Sequence, residues 1–290
     1  MIRIVPVALA AALVFVLAAC SSVTSEADIT PQVTFGQPDV NDDYAHVVTL
    51  IFSTNGQDYY SCTGTLLSAT VVLTAGHCVE EADIENVVTY VRNTQDAMER
   101  RTDYPTFLDW LDAEWIMADD VIPHPNYADY ADFPFTYDVG LVILDDEEDA
   151  FDGLSTYGEL AQVGLLDDVK GGKPKDRQFT VVGYGMQGVV PAFYSDEYER
   201  YYGTTTLINV NSAYTGDGMT AVFTNNPGKG NGEGGSCYGD SGGPVFYGAT
   251  NQIAAIVSFG ITPCIGPDFQ FRMDTEAAQE FVFGERPELE

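Results

Sequence analysis

The sequence predicts an all-β protein. Its 28 Gly and 14 Pro punctuate many short runs rich in Val, Thr, Tyr and Phe, a pattern of strands and turns rather than long helices. With 290 residues, 45% of them hydrophobic, the chain can bury a substantial core in one large domain or two smaller ones. A helical exception stands near the end: between Thr275 and Phe283, the residues Ala277, Ala278, Phe281 and Val282 recur at the spacing of one helix face.

Charge narrows the function classes. Lys and Arg total 12 against 44 Asp and Glu, for a net charge of -32, so the surface field repels phosphate backbones and anionic membranes. Nucleic acid is excluded as a partner. Such acidity serves solubility in the first place, and no specific role is read from it.

Arg3 precedes an apolar stretch from Ile4 to Ala19, long enough for the hydrophobic region of an export signal but short for a membrane-spanning helix. It ends in Leu17-Ala18-Ala19-Cys20, which resembles the lipobox of bacterial lipoproteins, where the cysteine is acylated and becomes the mature N-terminus. The resemblance implies a signal peptide over 1–19, lipidation at Cys20, membrane contact through that lipid, and a cell-envelope location. An ordinary secretory cleavage nearby is the alternative. Residues 20–32 are polar and carry little apolar pattern, as expected of a tether or pro-segment.

Four cysteines remain, Cys62, Cys78, Cys237 and Cys264, an even number that suggests two disulfides in an exported protein. Three pairings are possible; sequence proximity favours Cys62 with Cys78 and Cys237 with Cys264. Their spacings match no zinc pattern.

Three motifs then carry chemistry. In Val71-Val72-Leu73-Thr74-Ala75-Gly76-His77-Cys78, a β-branched apolar run leads into a small-residue turn, which is how a rigid strand end presents an imidazole. In Asp138-Val139-Gly140-Leu141-Val142-Ile143-Leu144, one carboxylate stands immediately before an apolar strand, a costly place for an unpaired charge. In Gly235-Ser236-Cys237-Tyr238-Gly239-Asp240-Ser241-Gly242-Gly243-Pro244, glycines on both sides of Ser241 permit a tight turn in which the N–H groups of Gly239 and Ser241 converge beside the hydroxyl. A hydroxyl nucleophile, an imidazole base, an orienting carboxylate and oxyanion donors are what hydrolysis by serine requires. The other histidines, His46 in an apparent strand and His124 in a Val-Ile-Pro-His-Pro-Asn-Tyr stretch, read as structural.

Together these motifs resemble the trypsin and chymotrypsin family of serine proteases, in the family's chain order of His, Asp, Ser. The likeness runs from about Val33 to the C-terminal segment, through Val181-Val182-Gly183-Tyr184-Gly185 and Ser258-Phe259-Gly260. It implies two six-stranded antiparallel barrels, about 33–150 and 151–273, with the active site between them and a terminal helix at about 275–283. The boundary is expected in the acidic stretch from Asp145 to Tyr157. His77, Asp138 and Ser241 are then the catalytic triad of a serine endopeptidase, with Gly239 and Ser241 as oxyanion donors and a protein or peptide as substrate.

The resemblance also assigns the pocket and an activation step. The residue six before the nucleophile, Gly235, lies at the floor of the primary specificity pocket, with Ser236 beside it, and Ser258, Phe259 and Gly260 pair with substrate backbone. The family's pocket aspartate is missing at Gly235, but the register of Pro267-Asp268-Phe269-Gln270-Phe271-Arg272 turns Asp268 inward, where it attracts a basic side chain; an outward Asp268 leaves a neutral pocket for apolar residues. Counting back from the first strand puts Val33 where the family's newly cut N-terminus pairs with Asp240. The match to the family's activation sequence is partial, and Gln32 is not a tryptic residue. A catalytically silent relative that only holds a partner requires a lost triad or oxyanion residue, and none is lost. A monomer without cofactor is expected; the acid-rich loops leave calcium open, although no EF-hand spacing is present.

Overall fold

The computed structural model describes residues 33–290 except 35, 55–57, 81, 83–86, 129–133, 146–150, 152, 191–192, 196, 213 and 226–233. The signal segment, Cys20 and Gln32 lie outside the described residues, as does part of the expected boundary stretch.

Strand alternation builds the first barrel. Its strands are β1 (Val47–Thr54), β2 (Asp58–Leu66), β3 (Val71–Thr74), β4 (Val87–Arg92), β5 (Ile116–Pro123) and β6 (Gly140–Leu144). They pair antiparallel in the order β1-β2-β3-β6-β5-β4, and β4 returns to β1, so no edge is left open. On β1, every second residue, Val48, Leu50 and Phe52, enters a core shared with Leu66, Val72, Val142 and Leu144. Each such fully buried side chain contributes about 1.5–3 kcal/mol of apolar transfer. Ile51 faces the other way and packs with Trp110 and Leu111 of α1 (Phe107–Glu114), a helix capped by the Thr106 side chain and not anticipated from the sequence.

The second barrel comprises β7 (Gln178–Gly183), β8 (Tyr201–Asn209), β9 (Thr220–Asn225), β10 (Pro244–Tyr247), β11 (Gln252–Gly260) and β12 (Gly266–Arg272). Its order is β8-β9-β12-β11-β10-β7, closed by the pairing of β7 with β8. Phe179, Val181, Leu207, Ala221, Phe223, Val245, Ala255 and Val257 share its core. The fold is thus two closed six-stranded antiparallel barrels, as expected. A further apolar cluster joins them, with Val71, Leu73 and Leu141 from the first and Val182, Phe246, Ile256 and Phe271 from the second. The terminal helix α2 (Glu276–Glu285) adds Ala278, Phe281 and Val282 to that cluster. Thr275, the first residue of the anticipated helix, is its N-cap, accepting from the Ala278 N–H at 3.3 Å.

The residues ahead of His46 depart from the expectation that the first barrel begins near Val33. Val33 is fully buried in the core of the second barrel, and Gln37–Pro38 pair with Tyr201–Tyr202 of β8. A buried cation fixes this arrangement. The Arg200 guanidinium, fully enclosed, donates to Asp39 at 2.7 Å, to Asp42, to the Tyr184 hydroxyl at 2.9 Å, and to the carbonyls of Asn93 and Val47 at 2.7 and 3.2 Å. With so many partners a buried charge is tolerated; stripped of them it is strongly destabilising.

Candidate active site

Strand β3, buried throughout, runs into a single helical turn at Gly76–Val79 that carries His77. The disulfide of Cys78 with Cys62 on β2 ties that turn back to the barrel, and the second disulfide joins Cys237 to Cys264. Asp138 precedes β6 by two residues and follows Tyr137, whose φ of 47° is left-handed, a costly conformation for a tyrosine that the surrounding packing maintains.

The expected partner of Asp138 is in place. The His77 Nδ1 lies 2.9 and 3.1 Å from the two Asp138 oxygens, and the His77 backbone N–H donates to Oδ1 at 2.8 Å. The Ser258 hydroxyl donates to Oδ2. Burial alone would push this carboxyl up, but the neighbouring His77 and the hydrogen bonds from His77 and Ser258 outweigh it and hold it below its ordinary value. The imidazole itself reaches the surface, with 32% of its side chain exposed against 6% for Asp138.

Ser241 stands on the turn between the second disulfide and β10. Its neighbours need glycine: Gly239 and Gly242 have φ of 95° and 79°, and a Cβ on Gly242 would fall 2.1 Å from the Thr74 hydroxyl. Asp240 is fully buried and accepts the N–H groups of Gly185 and Cys237, each at 2.8 Å. His77, Asp138 and Ser241 line one cleft of about 430 Å³, together with Ser236, Ser258, Phe259 and Gly260. Ile256 is the last residue of β11 to pair with β10; Val257 still bonds to Gly242 and Gly243, and Ser258 to Gly260, which follow, line the cleft.

Gly235 is set back from the lining, covered by the Asn225 side chain. Asp268 is 2% exposed and turned inward, one layer behind the cleft: its Oδ2 accepts from the N–H and hydroxyl of Ser236 at 3.0 and 2.7 Å. Its Oδ1 has no hydrogen-bond partner among the described residues. Burial pushes its carboxyl up to about 6. Among the described residues, Cys62, His77 and Cys78 form the one grouping of metal-ligating side chains, and both thiols are already spent in a disulfide.

A family model for trypsin matches residues 33–278. The chain belongs to the trypsin family. Among curated relatives of this trypsin-family chain, the clotting factor G beta subunit of Tachypleus tridentatus is 25% identical over 76% of this chain and 68% of its own. Brachyurin of Leptuca pugilator is 27% identical over 70% of this chain and 77% of its own. The solved structure of HL collagenase superposes with a TM-score of 0.56 at 17% identity, covering 84% of this chain and 94% of that one. Sequence reasoning located the triad candidates of this family member but not the Ser258 bond to Asp138. The two residues stand 120 positions apart, and a serine on a strand carries no signal of what it faces.

Proposed function

We propose that this chain is an exported serine endopeptidase, anchored to a membrane by a lipid on Cys20 until its activating cut, which hydrolyses peptide bonds through an acyl-enzyme on Ser241. The observation that carries the reading is the His77–Asp138 pair at the rim of a cleft that Ser241 also lines. Asp138 holds Nδ1 of His77 in its N–H form, which leaves Nε2 as the base for the Ser241 proton. His77 then returns that proton to the leaving amine. Gly239 and Ser241 supply backbone N–H groups to the oxyanion; among the described residues neither N–H is engaged by another backbone oxygen. A fluorophosphonate should label Ser241, and casein should be cleaved. Labelling without casein hydrolysis would reassign the chain to ester chemistry, and failure to label would leave a binding module.

Asp268 supports a preference for lysine or arginine before the scissile bond. A Cβ at Gly260 would stand 3.0 Å from Asp268 Oδ1, so the glycine leaves that oxygen approachable from the cleft. An Asp raised in the folded state is protonated below about 6 and ionised above it, so its ionisation costs stability as pH rises through that value. The charge that attracts a cation grows over the same interval. Asp268→Asn is therefore expected to lower kcat/KM for an Arg peptide about a hundredfold and leave a Phe peptide within a few-fold, since the lost pairing is a desolvated charge contact. A Phe preference in the unmodified enzyme would defeat the basic pocket.

Activation is read as a cut before Val33, which frees an ammonium to reach the buried Asp240 beside the Gly185 and Cys237 N–H groups that this carboxylate accepts. Sequencing of the active enzyme should begin at Val33. Full activity in protein that begins at Cys20 or Ser21 would refute both the cut and the release from the lipid that follows from it. Two disulfides support passage to an oxidising compartment.

A further inference from the structure

The N–H groups of Gly239 and Ser241 are useful only if the loop that carries them is held in place, and two of the bonds that hold it come from one residue, on the peptides that follow the two donors. Thr63, on β2 next to Cys62, is fully buried. Its backbone N–H donates to the Ser241 carbonyl at 2.8 Å, and its hydroxyl donates to the Gly239 carbonyl at 2.9 Å. The same hydroxyl accepts the Tyr184 N–H at 3.1 Å. One residue of the first barrel therefore holds the carbonyls of both donor residues in the second. The next two residues after Tyr184 hold the rest of the loop: the Gly185 N–H donates to Asp240 and the Met186 N–H to the Tyr238 carbonyl, both at 2.8 Å. Because C=O and N–H of one peptide point oppositely, the Met186 bond turns the Gly239 N–H away from Met186. The Thr63 hydroxyl pins the other side of Gly239, whose left-handed φ has no Cβ to resist rotation.

From this geometry we infer that Thr63 is a positioning residue for the oxyanion hole, acting across the barrel interface through its hydroxyl. The inference rests on the serine-protease reading above. A side chain of the same shape without the hydroxyl leaves the Gly239 carbonyl and the Tyr184 N–H without their shared partner and loosens the peptide that follows Gly239, and through the Gly239 Cα the donor peptide before it. Transition-state stabilisation then falls, while substrate, which contacts the cleft through other groups, binds as before.

The test compares Thr63→Val, Thr63→Ser and Thr63→Ala with the unmodified enzyme on one chromogenic peptide. Thr63→Val is expected to lower kcat about tenfold to a hundredfold with KM within about twofold, short of the hundredfold to thousandfold loss of a deleted oxyanion donor. Thr63→Ser, which keeps the hydroxyl, should recover kcat to within about threefold. Inhibition by a peptide aldehyde, whose adduct places an oxyanion in the hole, should weaken by the same factor as kcat/KM. If Thr63→Val does not fold, Thr63→Ala and Thr63→Ser decide the matter, because both lack the methyl and differ only in the hydroxyl. Equal kcat for these two, or a folded Thr63→Val with unaltered kcat, overturns the inference. An unmodified enzyme that neither hydrolyses the peptide nor takes up fluorophosphonate overturns the underlying reading instead.

Discussion

Ser241→Ala is expected to lower kcat about a million-fold and to leave KM and folding intact. The size follows from the chemistry: without the hydroxyl no acyl-enzyme forms, and His77 has no proton to take. What survives is the modest acceleration from the oxyanion donors and from substrate positioning. Folding is spared because the loop is held by its backbone. The Ser241 carbonyl accepts from Thr63, the Gly242 N–H donates to the Val257 carbonyl at 2.8 Å, and Asp240 is anchored by Gly185 and Cys237. None of these bonds involves the deleted oxygen. Active-site titration alongside steady-state kinetics checks the result, and a variant with near-normal turnover would remove Ser241 from the mechanism.

Asp138→Asn is the second large effect, about ten-thousand-fold in kcat at neutral pH. Three donors converge on this carboxylate: the His77 backbone N–H, His77 Nδ1 and the Ser258 hydroxyl. An asparagine offers one oxygen and must turn its NH2 toward a group that was donating. The accessible relief is for His77 to lose its Nδ1 proton and carry it on Nε2, where it can no longer accept from Ser241. Stability provides an independent readout. Asp138 sits below its ordinary value when folded, so its contribution is present above that value and is lost as pH falls through it. Acid unfolding of Asp138→Asn should therefore lack part of the pH dependence of the parent protein. An Asn variant with parental kcat would show that the tautomer of His77 is set by something else.

The legible parts of this protein were those written in adjacent residues. His77 follows a buried strand by three positions, Asp138 is the lone charge before another, and Ser241 is flanked by glycines that only a strained turn explains. Each motif thus contains its own structural reason. What stayed hidden joins distant residues or depends on which way a polar side chain turns. Nothing around Thr63 signals a hydroxyl that reaches Gly239, 176 positions on. Arg200 stands among Glu197, Glu199 and three tyrosines, a local sequence without a mark of burial, yet is enclosed. The family resemblance puts Gly235 at the pocket floor, and the side chain that covers it, Asn225, belongs to a strand with no motif. Helix α1 escaped because a short amphipathic segment rich in Phe, Leu and Trp resembles a strand until its Thr106 cap is considered.

The enclosed guanidinium of Arg200 has a mechanical meaning. It grips the chain's leading segment at Asp39 and Asp42, the first barrel at Val47 and Asn93, and the second at Tyr184, so none of the three can peel away without exposing a stranded cation to apolar surroundings. Trimming the leading segment back past Asp42 is accordingly expected to lower the melting temperature, as calorimetry would read it, because the cation loses two carboxylate partners while the apolar cluster still joins the barrels.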